Sequence, residues 1–223
     1  MKFLRDRRRW RYWLFEARKR YGLSVLNYIA TSNHIHLLCA DRGNNEIPRS
    51  LQLIEGRVAQ EFNNRKGRKG AFWEDRYHAT AVQTDSHLSR CFTYIDLNMV
   101  RAHAVEHPRE WEVSGYNEIQ HPPQRRRIVD FPTLIRFLGV KTRAELAAMQ
   151  DHLIHTDIGN SRRVSAWSKS IGVGDESYLQ QLRVDLGLPG TKRKISIESG
   201  YRTLNESHPD YCAIFSPESR LLA

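Results

Sequence analysis

The first stretch of the chain, Phe3 to Tyr21, repeats its apolar residues on a helical period. Trp10, Tyr12, Trp13, Leu14 and Ala17 mark one side, arginines fill the other, and Gly22 stands as a stop. The period then shortens. Leu23 to Ala30 is dense in strand formers, Thr31-Ser-Asn33 reads as a turn, and His34 to Ala40 returns as a second strand. Helical spacing resumes from Ile47 to Asn64, with Pro48 in the first turn and Leu51, Ile54, Val58 and Phe62 facing inward. Phe72-Trp73 and Arg76 to Gln83 predict a short third strand, and Asp85 to Ala104 a third helix capped by Asp85 or Ser86. The order up to this point is α-β-β-α-β-α.

Beyond Pro108 the text changes. Residues 119–130 read as a basic linker containing His121-Pro-Pro-Gln-Arg-Arg-Arg127. From 131 to 223 helical patterns dominate, at Phe131 to Leu138, Thr142 to His152 and Ser177 to Leu188. The stretch after Lys192 is weakly periodic and is expected to be partly disordered. The chain therefore divides by pattern into an α+β part, residues 1–118, the linker, and a mostly helical extension.

Charge narrows the partners. The net charge is +10, with 20 Lys and Arg against 14 Asp and Glu up to Gln120 and 15 against 11 beyond it. A basic excess spread over both halves predicts attraction to a polyanion, for which nucleic acid is the commonest candidate. The apolar runs are too short for a membrane span, and no apolar core follows the basic N-terminus as a secretory signal requires. Cys39, Cys91 and Cys212 are scattered and form no CxxC pair, which fits reduced thiols in a cytoplasm.

Three patterns carry chemistry. His34 and His36 flank Ile35, and residues i and i+2 of a strand share a face, so both imidazoles can reach one point. An isolated pair of this kind is more often structural than metal-binding. Tyr94 and Asn98 stand one helical turn apart. A phenol becomes a nucleophile only when activated, and a divalent cation can help by polarising the group it attacks. Asn98 can add an amide oxygen to the two imidazoles, a set that suits Mg²⁺ or Mn²⁺ and also Zn²⁺. Arg65, Lys66, Arg68 and Lys69 form a glycine-bearing cationic loop suited to phosphates, and Arg7, Arg8, Arg9, Arg11 and Arg125 to Arg127 offer two further patches. Phe72 and Trp73 can stack on unpaired bases or pack in a core. His78, His87, His103 and His107 have no motif around them and read as structural.

In combination these blocks resemble the HUH single-tyrosine transposases, the insertion-sequence 200-like family. Tyr28 to Leu38 is similar to that family's His-hydrophobic-His motif, and Gly70-Ala-Phe-Trp73 followed by Arg76-Tyr77 to a second block. Tyr94-Ile-Asp-Leu-Asn-Met-Val-Arg-Ala102 resembles its tyrosine helix, which usually reads Tyr-Ile-x-x-Asn-Pro-Val-Arg-Ala. Met99 takes the place of the proline. The similarity covers about residues 3–118, the REP-associated subgroup is the nearest in pattern, and Ala166 to Gly174 resembles a C-terminal extension of some relatives.

The resemblance implies a ferredoxin-like antiparallel sheet with helices on one face. It implies metal held by His34 and His36 with Asn98 as third ligand, and Tyr94 as the nucleophile of a 5′-phosphotyrosine intermediate. It also implies single-stranded or hairpin DNA as substrate for a monomer or homodimer, with Arg76 near DNA and Arg101 either at the DNA or paired within the tyrosine helix. Relatives open with a β-strand before the first helix, whereas this chain begins almost inside that helix. A truncated product, with backbone left unpaired beside the histidine strand, is the expectation that follows. Two other readings stand beside the enzyme: a relative that binds hairpins without cutting, and a zinc hydrolase, for which Asp41 and Glu74 are the available carboxylates.

Overall fold

The computed structural model describes residues 2–84, 86–159, 162–187 and 192–206. The architecture is α+β, and the chain forms two units: residues 1–76 with 88–163, and residues 77–87 with 164–223.

The first unit is built on an antiparallel pair, β1 (Ser24–Ala30) and β2 (Ile35–Ala40). Helix α1 (Leu4–Tyr21) precedes it and buries Trp10, Leu14 and Ala17, spaced four and three residues apart on one stripe. Gly22 ends α1 in the left-handed conformation, φ 72°, where its N–H reaches the Arg18 carbonyl. Helix α2 (Glu46–Lys66) packs against α1 and buries Ile54 and Val58. Helix α3 (Ser86–Asp96) and the short α4 (Asn98–Arg101) follow, then a 3₁₀ turn (Pro108–Glu110), α5 (Gly115–Gln120), α6 (Phe131–Leu138) and α7 (Arg143–Asp157).

The register of the pair decides what lies on each face. Ile29 opposes His36 and Tyr28 opposes Leu37, after a bulge between Val25 and Asn27. Opposed residues share a face. The Trp10 ring lies 6.0 Å from Tyr28 and the Tyr94 ring 6.0 Å from His36, so α1 covers one face and α3 the other. β1 is buried along its whole length, so neither of its sides meets water.

The free edge of β1 is also met. Val25 bridges Val129 and Ile29 bridges Ser114, with Asp130 N–H donating to Val25 O at 2.7 Å and Ala30 N–H to Val113 O at 3.1 Å. Glu118 clamps this edge: its carboxylate accepts the Tyr28 hydroxyl and the N–H groups of Ile128 and Val129. The 119–130 segment, read as a linker, thus ends stitched to the sheet, and α7 belongs to the same unit. Among the described residues no strand pairs with the outer edge of β2. Gly115 meets β1 so closely that a Cβ there would stand 2.2 Å from Asn27 Oδ1.

The expected third strand shrinks to β3 (Ala81–Val82), which leaves the histidine sheet altogether. Phe72 and Trp73 stay with α2 instead: Phe72 packs on Phe62 and the Trp73 indole donates to Glu55 O. In the second unit β3 runs parallel to β4 (Gly172–Val173), which pairs with β6 (Tyr201–Asn205) and that with β5 (Lys194–Glu198). Helices α8 (Ala166–Lys169) and α9 (Glu176–Asp185) complete it. The extension, expected to be mostly helical, contains a β-hairpin besides its helices, turned at Ser199 and Gly200 with φ of 51° and 82°. Leu188, Asp85, Cys212 and the expected disordered end beyond Glu206 lie outside the described residues.

Candidate active site

The turn before β2 presents the first histidine. Thr31 Oγ1 accepts the His34 N–H, and Asn33 Oδ1 sits 2.8 Å from His34 Nδ1. An acceptor on Nδ1 places the proton there and leaves Nε2 as the coordinating nitrogen. The His34 and His36 ring centroids are 4.8 Å apart and perpendicular. Burial lowers His36 to about 4, aided by His34, Arg101 and Arg163, and burial followed by Arg163 lowers His34. Both imidazoles are therefore neutral at pH 7, the form that binds cations.

Tyr94 meets this pair from α3, its ring at 6.0 Å and 81° to His36. The single helix expected from 85 to 104 is interrupted at Leu97, whose ψ of 4° departs from the helical value, and α4 begins at Asn98. Arg101, from the last residue of α4, spans the break. Its Nη2 donates to the Tyr94 carbonyl at 2.6 Å and its guanidinium lies 3.8 Å from the Tyr94 ring centroid. Of the two places foreseen for Arg101, this is the one within the tyrosine helix. Asn98 is buried at the head of α4.

Among the described residues no group of three or more His, Cys, Asp or Glu side chains gathers to hold a metal. A cation seated on two neutral imidazoles thus needs a donor of another kind, and the amide of Asn98 is of the right chemistry. The residues present fit such a group, with two imidazoles held close and one of them fixed by Asn33. Of the carboxylates named for the hydrolytic reading, Asp41 accepts the Gly43 N–H at 2.8 Å, and both Asp41 and Glu74 are exposed.

The basic loop is partly consumed by the fold. Arg65 is ion-paired to buried Asp6, Lys66 lies over Phe3, and Arg68 donates to Ala71 O. Lys69 and Arg76 are exposed, and Phe72 stacks edge-on to Trp73 rather than standing free.

A larger basic groove lies on the Tyr28 face, opposite the histidines. About 840 Å³ in volume, it is lined by Arg8, Arg9 and Arg11 of α1 and by Arg109, Arg125 and Arg126, which outnumber the three carboxylates there, Glu110, Glu112 and Glu118. Glu112 holds Arg8 through two hydrogen bonds, whereas Arg109 and Arg125 make no ion pair among the described residues. Sequence patterning marked the arginines of both patches but not Arg109, nor Arg163 beside the histidines; neither lies in a motif.

No curated protein and no solved structure matches the chain. Among the described residues no helix is long and apolar enough to cross a membrane. Residues 3–98, the stretch that carries His34, His36, Tyr94 and Asn98, match the family model described as transposase, IS200 like, which supports that family for this part of the chain.

Proposed function

We propose that the protein is a divalent-metal-dependent DNA strand transferase that cuts and rejoins single-stranded or hairpin DNA through Tyr94. The observation that supports it is the meeting of Tyr94 with His34 and His36 on one face of the sheet, with Arg101 packed on the tyrosine ring. The Tyr94 oxygen attacks the phosphorus. A tyrosyl ester to the 5′ phosphate forms, the bond to the 3′ oxygen breaks, and that oxygen leaves as a hydroxyl while the phenol gives up its proton. The ester retains the phosphodiester's energy, so rejoining needs no nucleotide cofactor. Mg²⁺ or Mn²⁺ on His34, His36 and Asn98, when bound, polarises the scissile phosphate and offsets its charge. Arg101 and Arg163, near enough to depress His36, make the surroundings cationic and suited to the same phosphate. REP-associated palindromes fit this reading as substrates.

The test is incubation of the chain with a labelled hairpin oligonucleotide and Mn²⁺. A covalent protein–DNA adduct is expected, and EDTA prevents it. His36→Ala is expected to weaken Mn²⁺ binding, read by titration calorimetry, and to slow adduct formation roughly 100-fold. Hairpin binding by the parent chain without any adduct would identify a binding protein and sink the enzymatic reading.

The Arg109 and Arg125 groove serves as a second contact to the phosphates. Arg109→Glu and Arg125→Glu are each expected to weaken hairpin affinity, and to lower the magnitude of the slope of log K against log salt by about 1 as one phosphate contact is lost. An unchanged slope would remove the groove from the DNA interface.

A further inference from the structure

We infer that Asp96 is a positioning residue for Tyr94, and that α7, through Gln150, forms part of the apparatus that holds the nucleophile. The inference rests on the proposed role of Tyr94 and concerns residues within the 3–98 match and beyond its end.

Asp96 is the last residue of α3, between Tyr94 and Asn98, at the point where the helix breaks. It is 1% exposed, yet both carboxylate oxygens are engaged. Asn27 Nδ2 donates to Oδ1 at 3.0 Å and Gln150 Nε2 to Oδ2 at 2.8 Å; Asn27 is 0% and Gln150 1% exposed. A buried carboxylate is costly unless its acceptors are filled, so this arrangement is held to one geometry.

Each donor is itself fixed. Asn27 Oδ1 accepts the Tyr28 N–H at 2.8 Å, and its Nδ2 also donates to Phe92 O at 3.2 Å, which rules out the flipped amide. Gln150 Oε1 accepts Gln120 Nε2 at 2.9 Å, and the same Nε2 reaches Ala147 O at 3.0 Å. The chain of bonds therefore runs from β1 through α3 to α7 and α5. Its sheet end lies on the strand that is paired, residue for residue, with the one carrying His36: Asn27 opposes Leu38 and Ile29 opposes His36. The Asn27 clamp on Phe92 and Asp96 brackets Tyr94 and sets its helix against the histidine strand. On the other side Ile154 of α7 packs in one cluster with Leu97 and Tyr116, and Val100 and Ile158 lie against it. The anchor thus sits beside the nucleophile without touching the reacting atoms.

The test uses Gln150→Met in the full chain, which keeps the volume and removes both bonds. At a temperature where circular dichroism shows it folded, the rate of adduct formation at saturating hairpin DNA is expected to fall about tenfold. The half-saturating DNA concentration and the Mn²⁺ affinity are expected to stay within twofold, because the histidines and the basic surfaces are untouched. Gln120→Leu, which removes both bonds made by Gln120 Nε2 and leaves the Gln150–Asp96 bond in place, keeps the question open should Gln150→Met fail to fold, and is expected to slow the reaction two- to threefold. The ¹⁹F resonance of Tyr94 in fluorotyrosine-labelled protein, assigned by its loss in Tyr94→Phe, reads ring placement without any reaction. A shifted or broadened signal in the variants supports the anchor even if the parent forms no adduct, an outcome that would fail only the phosphotyrosine reading. An unmoved signal, a parental rate, or an equal loss of rate, DNA affinity and metal affinity overturns it.

Discussion

With Tyr94 as the proposed nucleophile, Tyr94→Phe is expected to abolish the covalent adduct while leaving the fold and hairpin binding intact. The substitution removes one oxygen and keeps the ring, so the edge contact to His36 and the Arg101 guanidinium over the ring face both survive. The bond from Arg101 Nη2 to the Tyr94 carbonyl uses only the backbone of residue 94 and also survives. The hydroxyl also pairs with the Arg101 side chain, so the substitution removes the phenol oxygen and that one contact while surface charge is kept. Adduct formation is expected to drop by on the order of 10³-fold or more, the scale of removing a covalent nucleophile. Denaturing gels with end-labelled DNA measure it, with filter binding as the control. Undiminished metal-dependent cleavage by Tyr94→Phe would move the chemistry to a hydrolytic water.

The largest effect on stability is expected away from the reacting groups, at Gly115. An added Cβ would meet Asn27 Oδ1 at 2.2 Å and the Tyr28 backbone N at 3.1 Å. Neither neighbour is the loose end of a flexible chain. Asn27 is held by Tyr28 N–H, Phe92 O and Asp96, so it yields only by giving up bonds. Overpacking and a broken buried hydrogen bond together cost roughly 3 kcal/mol in Gly115→Ala. For a chain of this size that lowers the thermal midpoint by roughly 6–12 °C. Calorimetry checks it, and a shift under about 2 °C would mean that α5 moves away from β1 freely. Gly115 takes an ordinary backbone conformation and lies in no motif, so its requirement is invisible without the fold.

The same contrast runs through the molecule. Elements whose apolar residues recur at a fixed spacing were legible: α1 ends at Gly22 as read, and the β1–β2 pair brings His36 to Tyr94. Elements set by distant partners were not. The Phe72-Trp73 block looks like a strand but is claimed by Phe62 and Glu55 O on α2. The Ser199-Gly200 turn leaves little mark on the sequence because its strands are only five residues each and alternate weakly. The site divides similarly. His34, His36, Tyr94 and Asn98 sit in recognisable spacings, whereas Arg163 and Gln150 reach the same neighbourhood from more than fifty residues away, and Arg65 is drawn off by an aspartate near the start of the chain.

The interleaving of the two units has a consequence for how the chain responds to a cut. Residues 78–83 are bound to residues 170–175: Ala81 N–H to Ile171 O, Gln83 N–H to Val173 O, Thr80 Oγ1 to Ser170 O, and the Gln83 and Asp175 side chains and backbone to each other. A protease that nicks the chain near residue 164 leaves two fragments that stay associated through this seam. Deleting everything after residue 163, by contrast, strips β3 of its partner immediately upstream of the helix that carries Tyr94. Nicking and truncation at one peptide bond are thus unequal operations, since only the first leaves β3 paired with the strand at 172–173.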